Sequence, residues 1–98
     1  MDMEQETFAD VWDAPADTPE EAANMKLRSD LMTRVQSAVD SWGVSHVMAA
    51  KRLGITRSRL NDLLRDRLAK FSLDALVLLA VRAGLSVRLE IEAAPVAA

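Results

Sequence analysis

Between residues 18 and 83 apolar residues recur three and four positions apart, and between 85 and 92 they recur every second position. The first spacing predicts helices and the second a half-buried strand. Leu27, Leu31, Val35, Ala38, Val39 and Trp42 make the apolar stripe of one long helix. Its start is written in Thr18-Pro19-Glu20-Glu21, which offers a capping hydroxyl, a proline for the first helical position and a glutamate to close a capping box. Gly43, just past Trp42, supplies a left-handed stop. A second helix is expected over about 46–53, capped by Ser45 and ended by Gly54. A third is expected over about 57–65 behind Thr56. Residues 66–70 read as a polar, basic loop. Ser72 opens a fourth helix from Leu73 to Ala83, with Gly84 as its stop. Leu85 to Glu92 then alternates apolar and polar for eight residues. Met25, Met32 and Met48 are expected to fill the core, and Trp42 to close it as a buried lid.

This order divides the chain into an acidic N-terminal segment (1–17), a helical domain with its C-terminal strand (18–92) and a frayed tail (93–98). The fold class is mostly α. The single strand has no partner within the chain, and an unpaired terminal strand is a liability that a second copy removes. A homodimer paired through residues 85–92 is therefore expected; the alternative is a strand that packs alone against the helices. In the N-terminal segment Phe8, Val11 and Trp12 stand at i, i+3 and i+4, the spacing of a short amphipathic turn.

Composition narrows the classes. Half the residues are apolar and 28% are charged, which suits a globular domain. The chain has no cysteine, so disulfides and thiolate metal sites are excluded. No apolar run reaches the ~18 residues of a membrane span, and the acidic start is unlike a signal peptide. A cytoplasmic, nucleoid-associated protein is the expectation. The net charge of -3 conceals a division: residues 1–24 hold eight acids and no base, whereas residues 51–70 hold seven bases and two acids. A basic stretch of that density is the electrostatic footprint of a phosphate-binding surface, with an ordinary solvated face as the alternative.

The stretch AAKRLGITRSRLNDLLR, residues 49–65, places that basic patch in a structural context. Two short helices crossing steeply over a tight turn need a small residue at the contact, a residue free to take positive φ at the corner, and apolar anchors on the second helix. Ala50, Gly54, Ile55, Leu60, Leu63 and Leu64 meet those needs. With the leucines inward, the helical period turns Ser58, Asn61, Asp62 and Arg65 outward, flanked by Arg57 and Arg59. These six are the candidates for reading base edges in a major groove. Arginine can bond guanine bidentately, and asparagine can read adenine. Asp62 has two readings, acceptor from cytosine or salt-bridge partner that orients Arg59 or Arg65. Ser45, His46, Lys51, Thr56, Arg67 and Lys70 are candidates for phosphate contacts.

Other chemistry finds little support. His46 is the only histidine, so no histidine–cysteine metal site can be built. The serines lack a base and an orienting acid at plausible positions, and the glycines are isolated. Glu20 and Glu21 fit a first helical turn, where the dipole favours them. No enzyme, cofactor or metal is expected.

These segments also resemble a known family. Residues 45–83 are similar to the XRE (Cro-type) helix-turn-helix domain. The longer set FADVW, PEEAANMKLRSDLM, AAKRLGITRSRLNDLLR and KFSLDALVLLAVRAGLSVRLEI resembles small antitoxin-like (HigA-like) transcriptional regulators of that family. The resemblance implies a lambda-repressor-like domain of four to five helices, a dimer and binding to double-stranded operator DNA. It implies a sequence-specific repressor that serves as the antitoxin of a type II toxin-antitoxin module and represses its own operon. It also implies a RelE/HigB-type toxin as partner, for which Phe8, Val11 and Trp12 in their acidic surroundings are the candidate contact. That segment has alternatives: a solubilising tail, aromatics docked on the chain's own first helix, or a shield for the basic face. For the whole protein the alternatives are a regulator without a toxin, or a protein-interaction module on the same scaffold. The family commonly starts its paired helices with glutamine and often has a glutamic acid in the first turn. Here His46, Arg57 and Met48 stand at those positions, so no family base contact carries over to His46 or Arg57.

Overall fold

Each helix begins on the hydroxyl that the sequence offers it. The computed structural model describes residues 18–93 and forms α1 (Pro19–Trp42), α2 (His46–Leu53), α3 (Arg57–Leu64) and α4 (Leu73–Arg82), with a 3₁₀ turn at Leu68–Lys70 between the last two. Thr18 Oγ1 accepts from the Glu21 amide at 3.1 Å, and Glu21 Oε1 accepts from the Thr18 amide at 3.1 Å, completing the capping box of α1. Ser45, Thr56 and Ser72 cap the other three by accepting from Met48, Arg59 and Ala75.

The helix ends share a second device. After α2, Gly54 takes a left-handed φ of 72° while the Ile55 amide donates to Ala50 O and the Gly54 amide to Lys51 O. Crossed bonds of this kind close the last turn and redirect the chain. The same pair of bonds recurs after α3, from Arg67 to Asp62 O and from Asp66 to Leu63 O, and after α4, from Leu85 to Ala80 O and from Gly84 to Val81 O. At the middle corner the left-handed position is held by Asp66, φ 59°, where a side chain costs free energy. Its carboxylate Oδ1 accepts from Gln36 Nε2 at 2.7 Å, and the same Gln36 amide donates to Leu63 O at 2.7 Å. That contact ties the α3 exit to α1.

The core lies where α1 packs on α4 and α2 packs on α3. Val35 from α1, Leu53 from α2, Leu60 and Leu63 from α3, Phe71 from the connection and Leu76 from α4 are its largest fully buried side chains. Ala50 is buried at the α2–α3 contact, and Ile55 and Leu64 are half-buried against the same core. The steric demands read from residues 49–65 are thus met.

Four expectations change. The buried stripe of α1 runs through Arg28, Met32, Val35 and Val39, and Leu27 is 48% exposed. Met48 is exposed rather than core filling, because α2 turns Ala49, Ala50 and Leu53 inward. Trp42 is half-buried, with the Arg52 guanidinium 4.1 Å from its ring centroid. Residues 85–93 form no strand, and none occurs among the described residues. A strand is held by ladder bonds to a neighbour, and one segment cannot provide both sides. Leu85 packs against the core, while Val87, Leu89 and Ile91 are exposed, Ile91 to 81%. Residues 1–17 and 94–98, with the Phe8, Val11 and Trp12 assignments, lie outside the described residues.

Candidate nucleic-acid interface

The N-terminal turns of α2 and α3 come together, and their first residues share one depression. His46, Arg57, Ser58 and Asn61 line this shallow hollow of about 400 Å³, and all four are exposed. The helical period explains the set: once Leu60 and Leu63 are buried, positions 58 and 61 turn to the opposite side of α3, and Arg57 flanks them at the helix start. Helix starts also leave amides without partners inside the helix, and the helix dipole makes such ends favourable for anions. The hollow therefore combines a guanidinium, a hydroxyl, a carboxamide and an imidazole beside two helix starts.

Other predicted residues lie elsewhere. Arg65 is exposed at the C-terminal end of α3. Asp62 is half-buried and pairs with Arg67, whose Nε is 3.8 Å from Asp62 Oδ1. The ion pair of Asp62 is thus with Arg67 rather than with the expected Arg59 or Arg65, and it is loose enough to stabilise the fold little. Arg59 turns away from the hollow: its Nη1 donates to Lys70 O at 2.7 Å, and its guanidinium stacks 3.9 Å from the Phe71 centroid. That geometry locks the 3₁₀ turn onto α3 and holds Arg59 half-buried. Lys51 borders a separate hollow with Val44, Met48 and Arg52. Lys70 lines a third with Asn24, Arg28 and Phe71. The hydroxyl oxygens of Ser45 and Thr56 serve as caps.

Three residues that frame this face escaped the sequence reading. Arg28 is 3% exposed; its Nε donates to Asn24 Oδ1 at 2.7 Å, and its Nη1 donates to Leu68 O at 3.0 Å and Phe71 O at 3.3 Å. Burial lowers its pKa from the ordinary arginine value. Gln36 holds the α3 exit as described. Arg82 Nη1 donates to Leu53 O at 3.1 Å, closing the end of α2 from α4. The only signal in the sequence was Arg28 standing within an apolar stripe, four residues before Met32.

Arg82 also limits the corner. A Cβ at Gly54 would approach Arg82 Nη1 to 2.8 Å, so a side chain there meets both a left-handed φ and a guanidinium in place. The corner between the paired helices is thus flanked by half-buried Ile55 and by the Arg82 guanidinium on Leu53 O.

A family model described as a helix-turn-helix domain matches residues 14–92. Comparison with curated proteins and with solved structures returns no significant match. No helix among the described residues is long and apolar enough to cross a membrane.

Proposed function

The chain belongs to the helix-turn-helix domain family, and on that premise we propose that it is a sequence-specific repressor of the XRE type, acting on double-stranded operator DNA. The observation that carries this reading is the shared hollow of His46, Arg57, Ser58 and Asn61 at the starts of both paired helices. In this reading α3 enters a major groove N-terminus first. Arg57, Ser58 and Asn61 meet base edges, and Arg65 meets the groove further along. Ser45, His46, Lys51, Thr56, Arg67 and Lys70 serve the phosphates on either side. Arg59 acts through the frame, by fixing the 3₁₀ turn.

Two copies pair through residues 85–92, which supplies the ladder partner that this segment lacks in one chain. The dimer then addresses two half-sites about one helical turn, ~34 Å, apart. The protein serves as the antitoxin of a two-gene module and represses that operon, with Phe8, Val11 and Trp12 contacting a basic RelE/HigB-type toxin.

Fluorescence anisotropy with the DNA upstream of the gene tests the central claim. Arg57→Ala is expected to weaken binding ~10-fold or more, with the circular dichroism spectrum unchanged. Affinity should fall steeply with salt, in proportion to the phosphates contacted. Equal affinity for a scrambled duplex would remove sequence-specific reading. A second reading, a protein-docking module on this scaffold, is favoured by the exposure of Val44, Val47 and Met48 on and beside α2. It predicts that Arg57→Ala leaves the functional partner bound and that Met48→Asp releases it.

A further inference from the structure

On the side of the fold where α1 meets α4, an apolar cleft of about 420 Å³ stands open. Leu27 and Leu31 line it from α1, Leu73 and Val77 from α4, and Val87 and Leu89 from the segment that follows α4. Leu27 is 48% exposed and Leu89 80%, so among the described residues nothing covers this face. Arg34 and Arg88 stand among its lining residues, with Asp30 as the acid. Pairing of residues 85–92 with a second copy would use backbone edges, and the apolar face of Val87 and Leu89 would still need a cover.

We propose that the chain's own N-terminal segment covers this cleft in cis. Phe8, Val11 and Trp12 seat against Leu27, Leu31 and Val77, and the interleaved Asp10 and Asp13 face Arg34 and Arg88. Three features support that occupant. The first is spacing: Phe8, Val11 and Trp12 recur at i, i+3 and i+4, the spacing at which a helical turn would present all three to one surface. The second is charge, because residues 1–17 carry six acids and no base, and two arginines border the cleft. The third is reach. Residues 12 to 18 can extend ~20 Å at most. Along α1 the rise from Thr18 to Leu27 is ~14 Å, so Trp12 reaches the cleft without strain. The remaining chain outside the described residues, 94–98, offers only Ala, Pro and Val and no aromatic to fill the space. The docking needs neither DNA nor a second protein. It also makes cleft and toxin rivals for the same three side chains, so toxin contact would require the segment to leave.

Paramagnetic relaxation in the full chain tests this. The natural sequence has no cysteine, so Ala9→Cys gives a single thiol for a nitroxide label. Methyl signals of Leu27, Leu31 and Val77 should broaden several-fold relative to the reduced label. The broadening should vanish when Phe8→Ala and Trp12→Ala are added, and also with Leu27→Asp, a change at a position that is 48% exposed. Three other outcomes would overturn the proposal. Broadening at Arg57, Ser58 and Asn61 instead would put the segment on the reading face. Broadening only when spin-labelled chains are mixed with isotope-labelled ones would put a second copy in the cleft. No broadening at either surface would leave the segment undocked.

Discussion

Asp66 shows how a single residue can be both a cost and a fastening. Its left-handed φ is one that glycine adopts freely, and the chain places an acid there. The bond from Gln36 offsets the strain and ties the end of α3 to α1. Asp66→Ala keeps the strain and loses the bond, so it should destabilise the domain by about 1–2 kcal/mol. Asp66→Gly loses the bond and relieves the strain, so it should be more stable than Asp66→Ala by about 1 kcal/mol. Urea denaturation of the two variants checks the order. If alanine proved as stable as glycine, the left-handed corner would have no energetic weight.

At the scale of elements, α1 is where pattern and packing part company. Arg28 is buried because the irregular connection at Leu68 and Phe71 leaves carbonyls that need donors. Arg28→Ala removes those donors from a buried site and should destabilise the fold by ~2–4 kcal/mol, read as a lower urea midpoint with the slope unchanged. This is also the measure of what the sequence disclosed. Local signals were legible: the Thr18 capping box, the Ser45, Thr56 and Ser72 caps, the glycine corners and the inward leucines of α3 all lie within a few residues of what they control. The carbonyl partners of Arg28, Gln36 and Arg82 lie 27 to 43 residues away, and no spacing rule reaches that far. Leu27 and Leu31 looked like core because apolar periodicity marks a face without saying whether a neighbour covers it. Arg59 looked like part of the reading face because its position permits that, whereas its contact with Phe71 depends on how the 3₁₀ turn folds back. The candidate face, His46 with Arg57, Ser58 and Asn61, was legible as separate residues and became one hollow where the starts of α2 and α3 meet.

The whole molecule has a division of labour between its two ends. The paired helices carry the cationic surface, and the segment after α4 carries exposed Val87, Leu89 and Ile91. If the second end joins two copies, Ile91→Lys should leave the single chain's fold intact, since Ile91 is 81% exposed. It should raise the dimer dissociation constant at least ~10-fold, by about 1.4 kcal/mol or more, in sedimentation equilibrium. Affinity for a two-half-site duplex should drop with it, while affinity for one half-site stays level. A wild-type sedimentation profile for Ile91→Lys would place the dimer contact elsewhere, or nowhere.

The crossed bonds after α2, α3 and α4 are made by main-chain groups, and they set the course of the chain at all three corners. A frame steered by its backbone leaves the outward side chains between those corners open to replacement. Exchanging Arg57, Ser58 and Asn61 together should retarget the preferred DNA sequence while the melting temperature moves by only a degree or two. If α3 reads DNA as proposed, its specificity can therefore change one contact at a time at no cost to the scaffold.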